Sequence, residues 1–292
     1  MIVLYKKLAI TLFGGLVEKY MDSFKPLEPH IRNAGMRILL KAWVSMIFLT
    51  TIISFLVSFF AIYVFLTFIV EVEVYIYLFS IIFFPVFVAS IMFIVFYLYP
   101  VQKEKLRQRS IDNNLPFAIT HMAAIASSGI PTEFMFELLT GFKEYGEISK
   151  ESKMIMRNIK TFGMSSVDSL KNVAERTPSQ SFRQLLLGVV STTEVGGDLV
   201  SYLKEMAEKA LFDYKIKREK YLKTLSTYAD IYTALLVAAP LMMLSLLATM
   251  SIIGGTVMGL TIYDAIILMT WIILPILNIC YLAFIHITYP GV

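Results

Sequence analysis

Residues 42–70 read AWVSMIFLTTIISFLVSFFAIYVFLTFIV, 29 residues without one Asp, Glu, Lys or Arg. A helix needs roughly 20 apolar residues to cross ~30 Å of hydrocarbon, whereas a buried helix of a soluble core uses about 10–14. Val74–Gln102, Ile231–Tyr263 and Ala265–Val292 are equally free of charge and about as long. Charged residues make up 16% of the 292-residue chain, against about 25% in soluble domains. The shortfall lies in these stretches, so the expected fold is all-α and polytopic, with four transmembrane helices in two hairpins.

The basic residues orient it. All 26 Lys and Arg fall in two segments, seven in Met1–Lys41 and nineteen in Lys103–Asp230. The short links between paired spans carry only acids, Glu71 and Glu73 in the first and Asp264 in the second. Basic residues near membrane helices are retained on the cytoplasmic side. Lys103, Lys105, Arg107 and Arg109 leave the second span, and Lys215, Lys217, Arg218, Lys220 and Lys223 approach the third. Both groups place the two termini and the central segment inside. The expected organisation is a cytoplasmic segment 1–41, a transmembrane hairpin 42–102, a cytoplasmic helical domain 103–230 and a second transmembrane hairpin 231–292.

Met1–Phe13 is apolar but is followed by no small-residue cleavage site, so it does not read as a cleavable signal. Ile2–Met21 reads instead as an amphipathic helix at the interface, with Lys6, Lys7, Glu18 and Lys19 among its polar positions. Lys25–Gly35, with two prolines and a glycine, reads as a break before the first span. The single Cys280 lies in the fourth span, so there is no disulfide framework to read.

Between the hairpins, stop signals cut the chain into six short helices, which predicts a six-helix bundle. The first runs from near Leu115 to Ser128 and ends at Gly129. Pro131 opens the second, which is expected to end near Tyr145–Gly146. The third covers about Glu151–Phe162 and stops at Gly163. Ser165 with Asp168 forms a capping box for the fourth. Thr177-Pro178-Ser179-Gln180 reads as an N-cap hydroxyl, a proline at N1 and Gln at N3 for the fifth. That helix halts at Gly196-Gly197, and Asp198 is placed to cap the sixth. Nothing from Leu199 to Ala239 is Gly or Pro, so the sixth helix is free to run on into the third span.

Catalytic chemistry is hard to find. His30, His121 and His286 show no metal-ligand spacing, and no phosphate-binding Gly-Lys-Ser/Thr loop occurs. No cofactor is implied. A membrane aspartyl protease needs two neighbouring carboxylates, but Asp230 and Asp264 bracket a whole span. A small transporter or channel is the alternative class. Such proteins keep ionisable residues inside the membrane, and these spans offer only Pro85, Pro240, Pro275 and Asn278 as irregular or polar points. Nucleic acid is not an expected partner, because residues 103–230 hold nineteen basic against sixteen acidic side chains. The juxtamembrane basic residues suit either lipid headgroups or a docking protein.

An ordered set of short motifs carries a resemblance. Leu115-Pro116-Phe117-Ala118, Ala126-Ser127-Ser128-Gly129-Ile130-Pro131, Phe162-Gly163, Arg176-Thr177-Pro178 and Gly196-Gly197-Asp198-Leu199 follow one another. The set resembles the type II secretion system F domain, over about Asn114–Gly255, and in particular its archaellum, archaeal pilus and Tad-type platform branch. Glu194 and Gly197 match a bacterial Gly-Glu-x-x-Gly motif, but Thr193 replaces its first glycine. The resemblance implies a non-enzymatic membrane platform in a type IV pilus-like assembly machine. Its implied partners are a hexameric secretion ATPase, pilin or archaellin subunits and membrane lipids. Many platforms carry two copies of the bundle and this chain shows one, which implies a homodimer or a second platform subunit. Gly129, Pro131, Thr177, Pro178, Glu194, Gly196, Gly197 and Asp198 are the motif positions expected to shape the bundle or meet a partner.

Overall fold

A computed structural model describes residues 2–68, 73–254, 256–257 and 259–288; Glu71 of the first link lies outside them. The helices are α1 (Ile2–Lys19), α2 (Met21–Phe24), α3 (Leu27–Asn33), α4 (Leu40–Phe68), α5 (Val74–Ser127), α6 (Thr132–Leu139), α7 (Glu147–Phe162), α8 (Ser166–Ala174), α9 (Gln180–Val195), α10 (Leu199–Tyr232), α11 (Ala239–Ile253), α12 (Ile262–Leu268) and α13 (Leu274–Thr288). Between α11 and α12 the chain makes a two-residue antiparallel ladder, β1 (Thr256–Val257) with β2 (Leu260–Thr261). Among the described residues, four helical runs are long and apolar enough to cross a membrane: Leu40–Phe68, Val74–Ser127, Leu199–Ile252 and Ile262–His286. Phe60 (68% exposed) and Met242 (71% exposed) are typical of their outward faces. A soluble protein rarely leaves so much contiguous apolar surface to water. The protein is an all-α, multi-pass membrane protein.

The chain divides into two compact units, Met1–Glu208 and Lys209–Val292. The first has two cores. In one, Ala9 of α1, Leu27 and Ile31 of α3, and Trp43, Met46 and Ile47 of α4 pack together, with Phe93, Phe96, Tyr97 and Val101 of α5 against them. Trp43 stacks on Tyr99 at 5.7 Å. In the other, Ile111, Leu115, Ala118, Ile119 and Met122 form one stripe of α5 at three- and four-residue steps. They are buried, as are Phe136 of α6, Ile148 and Ile155 of α7, Leu170 and Val173 of α8, Phe182, Leu185 and Val189 of α9, and Leu203 of α10. Each large side chain so buried contributes about 1.5–3 kcal/mol.

Several boundaries differ from those expected. No helix starts near Leu115: α5 runs unbroken through Pro85, Pro100 and Pro116 for 54 residues. An interior proline costs a helix ~3 kcal/mol, and the buried stripe on both sides of Pro116 outweighs it. The second bundle helix, α6, ends at Leu139 rather than near Tyr145, where a separate 3-10 turn, Lys143–Tyr145, follows. Ser149 holds the early stop by donating to the Thr140 carbonyl at 3.1 Å. α7 then begins four residues earlier than expected, at Glu147. Within the expected break, Leu27–Asn33 is helical. Pro26 precedes that helix and Pro29 lies in its first turn, where a missing N–H removes no bond.

Candidate functional site

The three motif corners are built by local chemistry. At the first, Gly129 takes φ +74°, ending α5, and Pro131 at φ −57° leads into α6. A side chain at Gly129 would meet nothing within 4 Å, so the left-handed turn itself favours glycine there. At the second corner the cap is Ser179, not Thr177: Ser179 Oγ accepts from the Phe182 N–H at 3.1 Å. The Thr177 N–H still reaches back to the Val173 carbonyl at 3.1 Å, closing α8, and its side chain is buried. Pro178 therefore lies before the cap. Arg183 donates to the carbonyls of Ala174 and Thr177, at 2.9 and 3.2 Å. Ser179 also donates to Asp112 of α5 at 2.5 Å, tying this corner to the long helix.

At the third corner Gly196 is left-handed, and Asp198 caps α10 by accepting from the N–H groups of Val200 and Ser201 at 2.9 and 3.1 Å. The Ser201 hydroxyl, then the Ser201 and Val200 amides, hold the Asp198 carboxyl below its ordinary value. Glu194 pairs with Lys171 at 2.6 Å, both side chains nearly half exposed, so the pair adds little stability. Gly188 was not singled out by its sequence, yet a Cβ there would lie 1.8 Å from the Tyr202 hydroxyl. The Tyr202 ring of α10 fills the space that a side chain at this position of α9 would need.

The basic residues separate into two kinds. Lys103, Lys105 and Arg109 on α5, and Lys215, Lys217, Arg218, Lys220 and Lys223 on α10, are exposed. Arg218 leans on the Tyr214 hydroxyl at 3.2 Å. Arg107 is different and leaves the set of surface candidates. Its side chain is 10% exposed and its guanidinium joins three elements. It donates to the Asn33 carbonyl of α3 at 2.6 Å, to Glu147 of α7 at 3.1 Å, and to Glu151, which is 1% exposed. Glu104, one turn earlier on α5, accepts from Asn33 at 2.8 Å and meets His30 at 2.5 Å. Burial pushes the Glu151 carboxyl up to about 7; Arg107 pulls it down and Glu147 adds to the rise. Among the described residues no group of three or more His, Cys, Asp or Glu is placed to hold a metal. Asp264 is used locally, in a mutual cap with Thr261 at 2.6 and 3.2 Å.

With this geometry in hand, the comparisons place the central part of the chain. The family described as type II secretion system (T2SS), protein F, matches residues 118–247. Residues 118–247 are thus similar to a type II secretion system F domain. The matched stretch takes in the end of α5, the helices α6–α9, all of α10 and much of α11. An uncharacterized protein of Methanocaldococcus jannaschii is 27% identical over 135 residues, 46% of this chain and 23% of that protein. Flagella accessory protein J of Methanococcus voltae is 24% identical over 137 residues, 47% of this chain and 25% of that protein. Flagella accessory protein J of M. jannaschii is 23% identical, with 47% and 24% covered. The aligned stretch thus spans about a quarter of the length of these relatives. No solved structure matches the chain.

Proposed function

We propose that this protein is a membrane platform of a type IV pilus-like assembly machine, serving an archaellum, a pilus or a secretion filament. The observation that carries the proposal is the match to the F family over residues 118–247, beside the similarity to two proteins named flagella accessory protein J. In this reading the protein is not an enzyme. Residues 1–41 and 103–230 face the cytoplasm, 42–102 and 231–292 form the two hairpins in the cell membrane, and both termini are on its cytoplasmic side. That orientation rests on the placement of every Lys and Arg.

Mechanically, a platform has to carry motion from a soluble motor to subunits held in the bilayer. The helices α5 and α10 suit this, because α5 begins in an apolar span, α10 runs on into one, and each carries a basic, exposed stretch beside it. We assign the motor to a hexameric secretion ATPase and the membrane cargo to pilin or archaellin subunits. A homodimer, or pairing with a second platform subunit, supplies a second bundle. The reading is tested by purifying the tagged full chain in mild detergent from its own cells. The secretion ATPase of the filament system is expected in the same fractions at low salt and depleted at high salt. A preparation free of that ATPase at low salt would contradict the coupling.

A further inference from the structure

The second unit contains a matched irregularity. Residues Thr233–Ala238 and Met269–Ile273 are both π-helical, and each turn runs up to a proline, Pro240 and Pro275. The defining bond is the same in both: the residue before the proline donates five residues back, Ala239 to Ala234 and Leu274 to Met269. Proline has no N–H, so the next carbonyls in line, Leu235 and Thr270, lose the donor that would lie five residues on.

The helices that carry the two turns pack against each other. Tyr232 donates to Asn278 at 3.2 Å, Tyr281 donates to the Tyr228 carbonyl, and the Tyr232 and Tyr281 rings lie 5.4 Å apart. Toward the other end of the spans, Leu247 and Ile262 pack with Met269, the first residue of the second turn, and Leu244 and Ile266 lie against them. The two helices are thus joined on either side of the turns. π turns often mark functional positions, and a proline turn is a defined place for a helix to bend.

We propose that the two spans of this hairpin bend together about the π turns before Pro240 and Pro275. Contacts on either side of the turns tie the helices, so the two are not independent hinges. This goes beyond the platform reading and does not depend on it.

Hydrogen–deuterium exchange of the full chain in lipid nanodiscs tests the coupling. Amides of Thr233–Ala239 and Met269–Leu274 are expected to exchange faster than those of α11 and α13 on either side. Pro240→Ala restores a donor in α11 and is expected to slow exchange roughly five- to tenfold in both turns, as one regained hydrogen bond would. Pro275→Ala should give the same paired slowing, with exchange in α6–α9 unchanged as the check on folding. Slowing confined to the substituted helix in both variants would overturn the proposal. So would a wild type whose turns exchange no faster than their flanks.

Discussion

Arg107→Met is expected to cost about 3–5 kcal/mol, the usual loss when one partner of a buried ion pair is removed. Methionine keeps the stem and takes away the charge, leaving Glu151 at 1% exposure without its cation. It also removes the donors to Glu147 and to the Asn33 carbonyl, so α3 and α7 lose their shared attachment to α5. Denaturant or thermal unfolding of the detergent-solubilised protein reads the effect; a loss under about 1 kcal/mol would show that the cluster is not holding the junction.

The same cluster has a pH signature with a definite sign. Glu151 has a folded value near 7 against an ordinary 4.5, so between those pH values the folded protein holds a proton that the unfolded chain has released. Its contribution to stability is therefore greatest below about pH 4.5 and falls as pH rises to about 7. Glu151→Gln is expected to flatten that decline while keeping an acceptor for Arg107. An unchanged slope in the Gln variant would assign the pH dependence elsewhere.

Reversing Lys215, Lys217, Lys220 and Lys223 to Glu is expected to weaken binding of the secretion ATPase roughly thirty- to several-hundredfold. Each exposed charge contributes up to about 1 kcal/mol at an interface rim, and reversal adds repulsion to the loss. Arg107 is excluded from the set because its guanidinium is spent inside the molecule. The four lysines stand exposed on α10 below the third span, where anionic headgroups would also attract them. Binding measured in detergent across a salt series separates the two roles. Affinity unchanged by the four reversals would assign these lysines to lipid and move motor docking to another face.

What the sequence makes legible is what local chemistry decides. Charge-free stretches of 28 residues or more mark the spans because a bilayer tolerates little else there. Gly163, Gly196 and the Ser165 and Asp198 caps are readable because one residue satisfies a helix end within three or four positions. Failures come where two local rules compete or where a contact is remote. Pro116 looks like a helix start until the buried α5 stripe on both sides is counted. Thr177 and Ser179 are both good caps, and the contact that accompanies the choice, Ser179 with Asp112, spans 67 residues. The Arg107 attachment to Asn33 spans 74, with no periodicity to announce it. Arg107 therefore reads as one more juxtamembrane cation beside Lys103, Lys105 and Arg109. Pro240 and Pro275 are visible as irregular points, but the π turns before them and the Tyr232–Asn278 contact that joins their helices appear only in the structure.

The platform role meets its most direct test in the filaments themselves. Cells lacking the gene are to be compared by electron microscopy with cells in which the full chain is restored. The expected result is loss of one class of surface filament on deletion, with its pilin or archaellin retained in the membrane, and recovery on complementation. Filaments of every class present in normal number after deletion would contradict it.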